Sequence, residues 1–173
     1  MFKWISSYLK KPSLENYKGA GCIFTNDNHV LAGYQVKQGV PFIGGLGGTR
    51  KEGETFLRTA LRETLEELFE VNIPESLLTT LELRIVPIGV HLRGSYVLVH
   101  YTFHQLDDII SLSEPFCKDN PFYAFYPRSC IDLIVNRTKS AYSEVSTLCL
   151  LPLETAMFIS PEFMGDLQSI SSI

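Results

Sequence analysis

The sequence predicts an α+β fold arranged as an α/β/α sandwich. Strand-like runs near the start, one strongly periodic helix at 54–70, and later strand and helix patterns come in the order strands, helix, strands, helix. Residues 18–26 read as a strand, Asn26-Asp27-Asn28 as a turn, and His29 to Val36 as the returning strand. Gly39, Gly44, Gly45, Gly47, Gly48 and Gly53 crowd the next stretch, which suits a loop that turns sharply or approaches a ligand. From Glu54 the period changes. Phe56, Leu57, Ala60, Leu61, Thr64, Leu65 and Leu68 recur at three and four residues, which gives an amphipathic helix ending at about Phe69 or Glu70. Pro74 blocks its continuation. Strands are expected at 80–90 and 95–106, with a turn near Arg93-Gly94. The stretch 107–143 holds Pro115, Pro121 and Pro127 among many aromatics and reads as a long irregular insert. Leu148 to Leu151 reads as a short buried strand, Pro152-Leu153-Glu154 as the start of a small helix, and Pro161 to Ile170 as a last helix.

The chain has 173 residues, 45% of them apolar, which suits one domain over 1–173 with a core of its own. Residues 1–14 form an N-terminal extension in which Phe2, Ile5 and Leu9 fall near the spacing of a short helix. No apolar run approaches the ~20 residues of a membrane span, and the start has no continuous apolar stretch of the signal-peptide kind. Cys22, Cys117, Cys130 and Cys149 form no C-x-x-C pair, so reduced thiols and a cytoplasmic location are expected. The net charge of −4 argues against a globally basic nucleic-acid binder. That charge is not spread evenly: residues 54–70, with five glutamates against two arginines, carry −3 of it.

Glu63, Glu66 and Glu67 are three and four residues apart and share one helix face. Such like charges repel, and a hard divalent cation such as Mg²⁺ relieves the repulsion by taking carboxylate oxygens. The plainer alternative is a solvated acidic face balanced by Arg58 and Arg62. Spacing decides between the two. Gly48 precedes Glu54 by six positions, and Glu54 precedes Arg62-Glu63 by eight and nine. Glu66-Glu67 then follow after two intervening residues, giving G-x5-E-x7-R-E-x-x-E-E. Six fixed positions at typical residue frequencies would meet by chance in roughly one of 10⁵ chains of this length.

This pattern resembles the signature of the Nudix hydrolases, the MutT-type pyrophosphohydrolases, and Gly47 to Glu54 is similar to the glycine loop that leads into their helix. The resemblance implies a central mixed sheet. It implies Mg²⁺, with Mn²⁺ as an alternative, held by Glu63, Glu66 and Glu67, with the Gly48 carbonyl nearby. It also implies that Glu54 orients Arg62. The expected reaction is hydrolysis of a phosphoanhydride in a nucleoside diphosphate linked to another moiety. Glu144, near the family's late strand, is a candidate general base, as are Glu66 and Glu63 within the box. Arg50 and Lys51 are candidate phosphate contacts, and Arg84 and Arg93 more distant ones. The pattern departs from the family at Thr64 (usually aliphatic), Phe69 (usually glycine) and Glu70 (usually aliphatic). The glycine normally helps the helix stop.

The box is shared by enzymes acting on many diphosphates, so it does not choose a substrate. A small nucleotide leads. Capped RNA is the second reading, because the 107–143 insert joins aromatics to Lys118, Arg128, Arg137 and Lys139. Those aromatics, at 116–126, either stack on a base or pack within the insert. A third reading is a nucleotide-binding module without turnover. His100 and His104, four apart in an expected strand, would share a sheet face, and with His91 read as ordinary strand histidines. No membrane partner is expected, and the sequence does not speak to oligomeric state.

Overall fold

The computed structural model describes residues 16–37, 39–138, 143–153 and 160–171. The N-terminal helix expected within 1–14 lies outside them, as does the small helix expected from Pro152-Leu153-Glu154 beyond Leu153, while Pro152 itself ends a strand rather than opening a helix. Seven strands form one mixed sheet: β1 (Gly19–Thr25), β2 (His29–Lys37), β3 (Val40–Gly44), β4 (Leu46–Thr49), β5 (Gly89–Arg93), β6 (Tyr96–Thr102) and β7 (Val145–Pro152). Among the described residues five helices accompany it: α1 (Phe56–Phe69), α2 (Glu75–Arg84), α3 (Phe103–Cys117), α4 (Cys130–Val135) and α5 (Pro161–Ser171).

The sheet runs β3-β2-β1-β6-β5, with β4 also paired to β1 and β7 to β2. The β1–β6 pair is parallel, with Cys22 opposite Val99, and the other pairs are antiparallel. Every residue of β1 is buried, because both faces of the sheet are covered. On one face Ala20, Cys22 and Phe24 meet Leu61, Leu65 and Leu68 of α1. On the other, Ile23, Val30 and Ala32 meet Phe163 and Leu167 of α5. The expected sandwich with a mixed sheet is therefore present.

Two expectations are corrected. The stretch 80–90, read as a strand, begins inside α2. Pro74 does not merely stop α1: it is the N-cap of α2, its fixed φ of −73° suiting a helix start, and Leu77, Leu78 and Leu81 bury the new helix. The insert 107–143, read as irregular, holds most of α3 and all of α4. Thr102 ends β6 and caps α3 in the same step. Its hydroxyl accepts from the Gln105 amide, and the Gln105 side chain accepts from the Thr102 amide. Leu106, Ile109, Ile110 and Cys117 then bury one stripe of α3. His104 lies on α3 and is exposed, so it shares no sheet face with His100. The glycine-rich stretch also contains strands, β3 and β4.

The five aromatics at 116–126 divide: Phe122, Tyr123 and Tyr126 pack toward the core, whereas Phe116 and Phe125 are exposed. Phe122 and Tyr123 are buried, and Tyr126 stacks on Phe69 with centroids 5.3 Å apart. For these three residues packing within the insert is the reading that holds, while Phe125 stands 87% exposed.

Leu65→Ala, in the fully buried layer between α1 and the sheet, should cost about 2–5 kcal/mol in urea unfolding. Phe125→Ala should stay within about 0.5 kcal/mol of the native protein. Equal effects would contradict the layer assignment.

Candidate functional site

Thr55 starts α1, its hydroxyl accepting from the Arg58 amide at 3.1 Å. The apolar stripe of α1 fixes which face meets the sheet. Glu63, Glu66 and Glu67 are thereby turned toward the loop formed by β4. Two glycines let the backbone come close. A Cβ on Gly47, whose φ is 149°, would overlap Gly21, the Ala20 carbonyl and the Tyr96 hydroxyl. A Cβ on Gly48 would overlap the Glu63 carboxylate. The Gly47 amide donates to Glu67 Oε2 at 2.8 Å, joining loop to helix.

Arg62 is the hub. Its side chain is 5% exposed, and its fork closes on Glu54, with Nε to Oε1 at 2.6 Å and Nη2 to Oε2 at 3.0 Å. Nη2 also donates to the Thr49 carbonyl at 2.9 Å, and Nη1 donates to Glu63 Oε1 at 2.8 Å and Glu66 Oε2 at 2.9 Å. Those bonds occupy all five guanidinium N–H groups. Glu54 is equally engaged, accepting from the Lys51 amide at 2.9 Å and the Thr59 hydroxyl at 2.9 Å. Burial alone would raise the Glu54 carboxyl. The hydrogen bonds from Arg62, the Lys51 amide and Thr59 outweigh it and hold the group down at about 2. Glu67 is the opposite case. Burial pushes its carboxyl well up, and the charges of Glu144 and Glu63 push further against the Gly47 amide.

Arg58 does not balance this face. Its guanidinium pairs with Glu75 and Glu82 of α2, both at 2.7 Å. Arg50 stacks 4.5 Å over the Tyr17 ring, whereas Lys51 stands 3.6 Å from Glu66 Oε1 with its side chain 63% exposed. Glu144, immediately before β7, lines a cavity of about 1200 Å³ together with Gly47, Phe42, Tyr96, Phe163 and Asp166. Arg93 lines it too, bonded to Asp166 Oδ1 at 2.8 Å and to the Glu162 carbonyl. Arg84 is exposed in the last turn of α2. The cavity wall contributed by Phe42, Tyr96, Asp166 and Phe163 went unseen in the sequence because these residues follow no motif. His91 and His100 stack loosely with centroids 6.1 Å apart, and burial lowers both.

The donor set suits a hard cation. Glu63 Oε2, Glu66 Oε1 and Glu67 Oε1 are outside the hydrogen bonds to Arg62 and Gly47, and the desolvated Glu67 lies among other carboxylates with no side-chain cation bonded to it. Among the described residues, no three His, Cys, Asp or Glu side chains are drawn together tightly enough to hold an ion in the arrangement shown. All four cysteines are free. No described helix is long and apolar enough to cross a membrane.

No family model matches the sequence, and no curated protein matches it. Among solved structures the chain is similar to a NUDIX hydrolase from Nitrosomonas europaea, at 14% identity over 90% of this chain and 89% of that one, with a TM-score of 0.46. It is similar to the E. coli ORF135 protein, at 16% identity over 92% and 93%, TM-score 0.47. It is also similar to a NUDIX family hydrolase from Clostridium perfringens, at 15% identity over 91% and 99%, TM-score 0.40. At these identities and scores the likeness is distant, and the glycine loop, the Glu54–Arg62 pair and the glutamate face carry the functional reading themselves.

A carboxyl held below its unfolded value of about 4.3 stabilises the fold fully above that value, and the contribution fades as pH falls toward the folded value. Glu54→Gln should therefore cost about 3 kcal/mol at pH 7, and its deficit should narrow from about pH 5 down to pH 2. Urea titrations across that range measure it; a deficit independent of pH contradicts the depressed Glu54 carboxyl.

Proposed function

We propose that this chain is a hydrolase of the Nudix type, cleaving a phosphoanhydride in a nucleoside diphosphate linked to another moiety, with Mg²⁺ or Mn²⁺ held by Glu63, Glu66 and Glu67. The carrying observation is the Arg62 cradle, which gathers Glu54, Glu63 and Glu66 in a partly buried cluster, with Glu67 tied to the glycine loop by the Gly47 amide. When bound, the divalent ion would neutralise diphosphate charge and lower the pKa of a bound water.

The chain's own residues have separable parts. Glu54 holds Arg62, and Arg62 holds Glu63 and Glu66 in register with Thr49. The Glu63 carboxylate lies against the α-carbon of Gly48, and the Gly48 carbonyl, which faces Gly19 of β1, would have to turn to serve as a further donor toward the cation. Glu144, on the cavity wall and electrostatically felt by Glu67, is the favoured base; Glu66 is the alternative. In the reaction a water oxygen bonds to phosphorus, the bridging P–O bond breaks, and the water's proton passes to that carboxylate. Two phosphorylated products leave. Lys51, exposed and 3.6 Å from Glu66 Oε1, and Arg50, stacked on Tyr17, are the candidate phosphate contacts.

The cavity favours a substrate with little charge beyond its diphosphate. Arg93 is the single cation among its described lining residues and is bonded to Asp166, while Glu144 and Glu162 add further negative charge. A densely phosphorylated substrate would find few partners there. The aromatics once available for a cap are largely in the core, which favours the small nucleotide over capped RNA. Four free cysteines support the cytoplasmic reading.

A substrate panel run in H₂¹⁸O with Mg²⁺ should give hydrolysis of nucleoside diphosphate conjugates, with ¹⁸O in one phosphate product. Glu67→Gln should lose about 100-fold or more in turnover while remaining folded. Release of capped nucleotide alone would move the assignment to decapping, and Mg²⁺-dependent binding without cleavage would leave a binding module.

A further inference from the structure

The end of α1 poses a physical problem. Phe69 and Glu70 stand where the family pattern has glycine and an aliphatic residue. Glu70 takes a left-handed conformation, φ 51° and ψ 42°, that non-glycine residues adopt at a cost. The last carbonyls of a helix also lack intrahelical partners, and the end carries partial negative charge. This end lies beside Glu67, an already crowded carboxylate.

Arg137 meets both needs. It is 8% exposed, and it comes from the segment that the sequence suggested was loop. Nη1 donates to the Leu68 carbonyl at 2.7 Å and to the Tyr123 hydroxyl at 3.0 Å. Nη2 donates to the Glu67 carbonyl at 2.9 Å and to the Val145 carbonyl at 2.8 Å. Its guanidinium lies 4.0 Å over the Phe122 ring. The platform is itself fixed: Asn120 Oδ1 accepts from the Phe122 and Tyr123 amides, and the Thr138 amide donates to the Phe122 carbonyl. Val145 directly follows Glu144. One planar cation thus joins the main chain of Glu67, on the helix, to the main chain beside Glu144, at the start of β7.

We infer that Arg137 is a positioning residue of the hydrolytic site. It sets the separation between Glu67 and Glu144 by bonding the carbonyl of Glu67 and that of Val145, next to Glu144, and it satisfies the last carbonyls of α1 where Glu70 takes the left-handed place of the missing glycine. It touches neither substrate nor reacting atoms. The role rests on the hydrolase reading proposed above. Lysine keeps the charge there but not the fork, since one ammonium cannot span three carbonyls on two elements in the same plane.

The test compares native protein, Arg137→Lys and Arg137→Ala. Three readouts are used: kcat and KM on a nucleoside diphosphate conjugate, Mn²⁺ affinity by calorimetry without substrate, and melting temperature. Arg137→Lys should lose about tenfold or more in kcat and in Mn²⁺ affinity, with KM changed less than about threefold. Added guanidinium ion should restore kcat in Arg137→Ala and leave Arg137→Lys unmoved. If Arg137→Ala does not fold, Tyr123→Phe, which removes one partner of Nη1, should show a smaller loss in the same sense. Native kcat and Mn²⁺ affinity in Arg137→Lys overturn the role. So does a loss that merely follows the unfolded fraction and is not rescued by guanidinium. A native protein that neither binds Mn²⁺ nor turns over overturns the hydrolase reading, and this role with it.

Discussion

The buried fork of Arg62 on Glu54 is the interaction on which the site depends. Burying either charge alone would cost several kcal/mol, and the pair is tolerated because every donor of the guanidinium has an acceptor. The same five bonds reach three parts of the chain. They hold Glu54, two residues before α1, the carbonyl at the end of β4, and two carboxylates about two and three turns into the helix. An apolar pair of equal volume would pack as well or better, but it would leave Glu63 and Glu66 repelling without a shared cation. The pair is thus better explained by what it positions than by what it adds to stability.

The sheet supplies the rigidity around that hub. β1 is buried on both faces, so α1 and α5 are held on opposite sides of the same strand. Glycine in β1 and β4 lets the loop backbone lie against the sheet and under the Glu63 carboxylate, with no side chain between. The cavity opens on the α5 face, between the loop, Glu144 and the Arg93–Asp166 pair. Acidic side chains thus outnumber basic ones both on the helix face and among the described residues that line the cavity. On the function proposed above, charge complementarity for a diphosphate would come from a bound cation rather than from a basic patch, which would link the sequence's uneven charge to its chemistry.

The parts legible in the sequence were those that repeat or are spaced rigidly. The α1 stripe, the β1–β2 and β5–β6 turns, and the box residues were all local patterns. Residues 75–84 were misread because Pro74 was taken as an end, although proline starts helices as readily as it stops them. Residues 103–117 were misread because β6 passes into α3 with no turn residue between, and Pro115 looked like a breaker. The Thr102-x-x-Gln105 capping box was the available signal. Arg137 had no such signal. Its partners lie 8 to 70 positions away, and only the folded chain brings Glu67, Leu68, Tyr123 and Val145 to one guanidinium.

A double-mutant cycle on Glu54 and Arg62, using Glu54→Gln, Arg62→Met and the double variant in urea unfolding at pH 7, tests the central claim most directly. A hub of this kind should show a coupling energy of about 2–3 kcal/mol between the two side chains. A coupling below about 0.5 kcal/mol would mean that the pair does not act as a unit, and that something else holds the glutamate face against the loop.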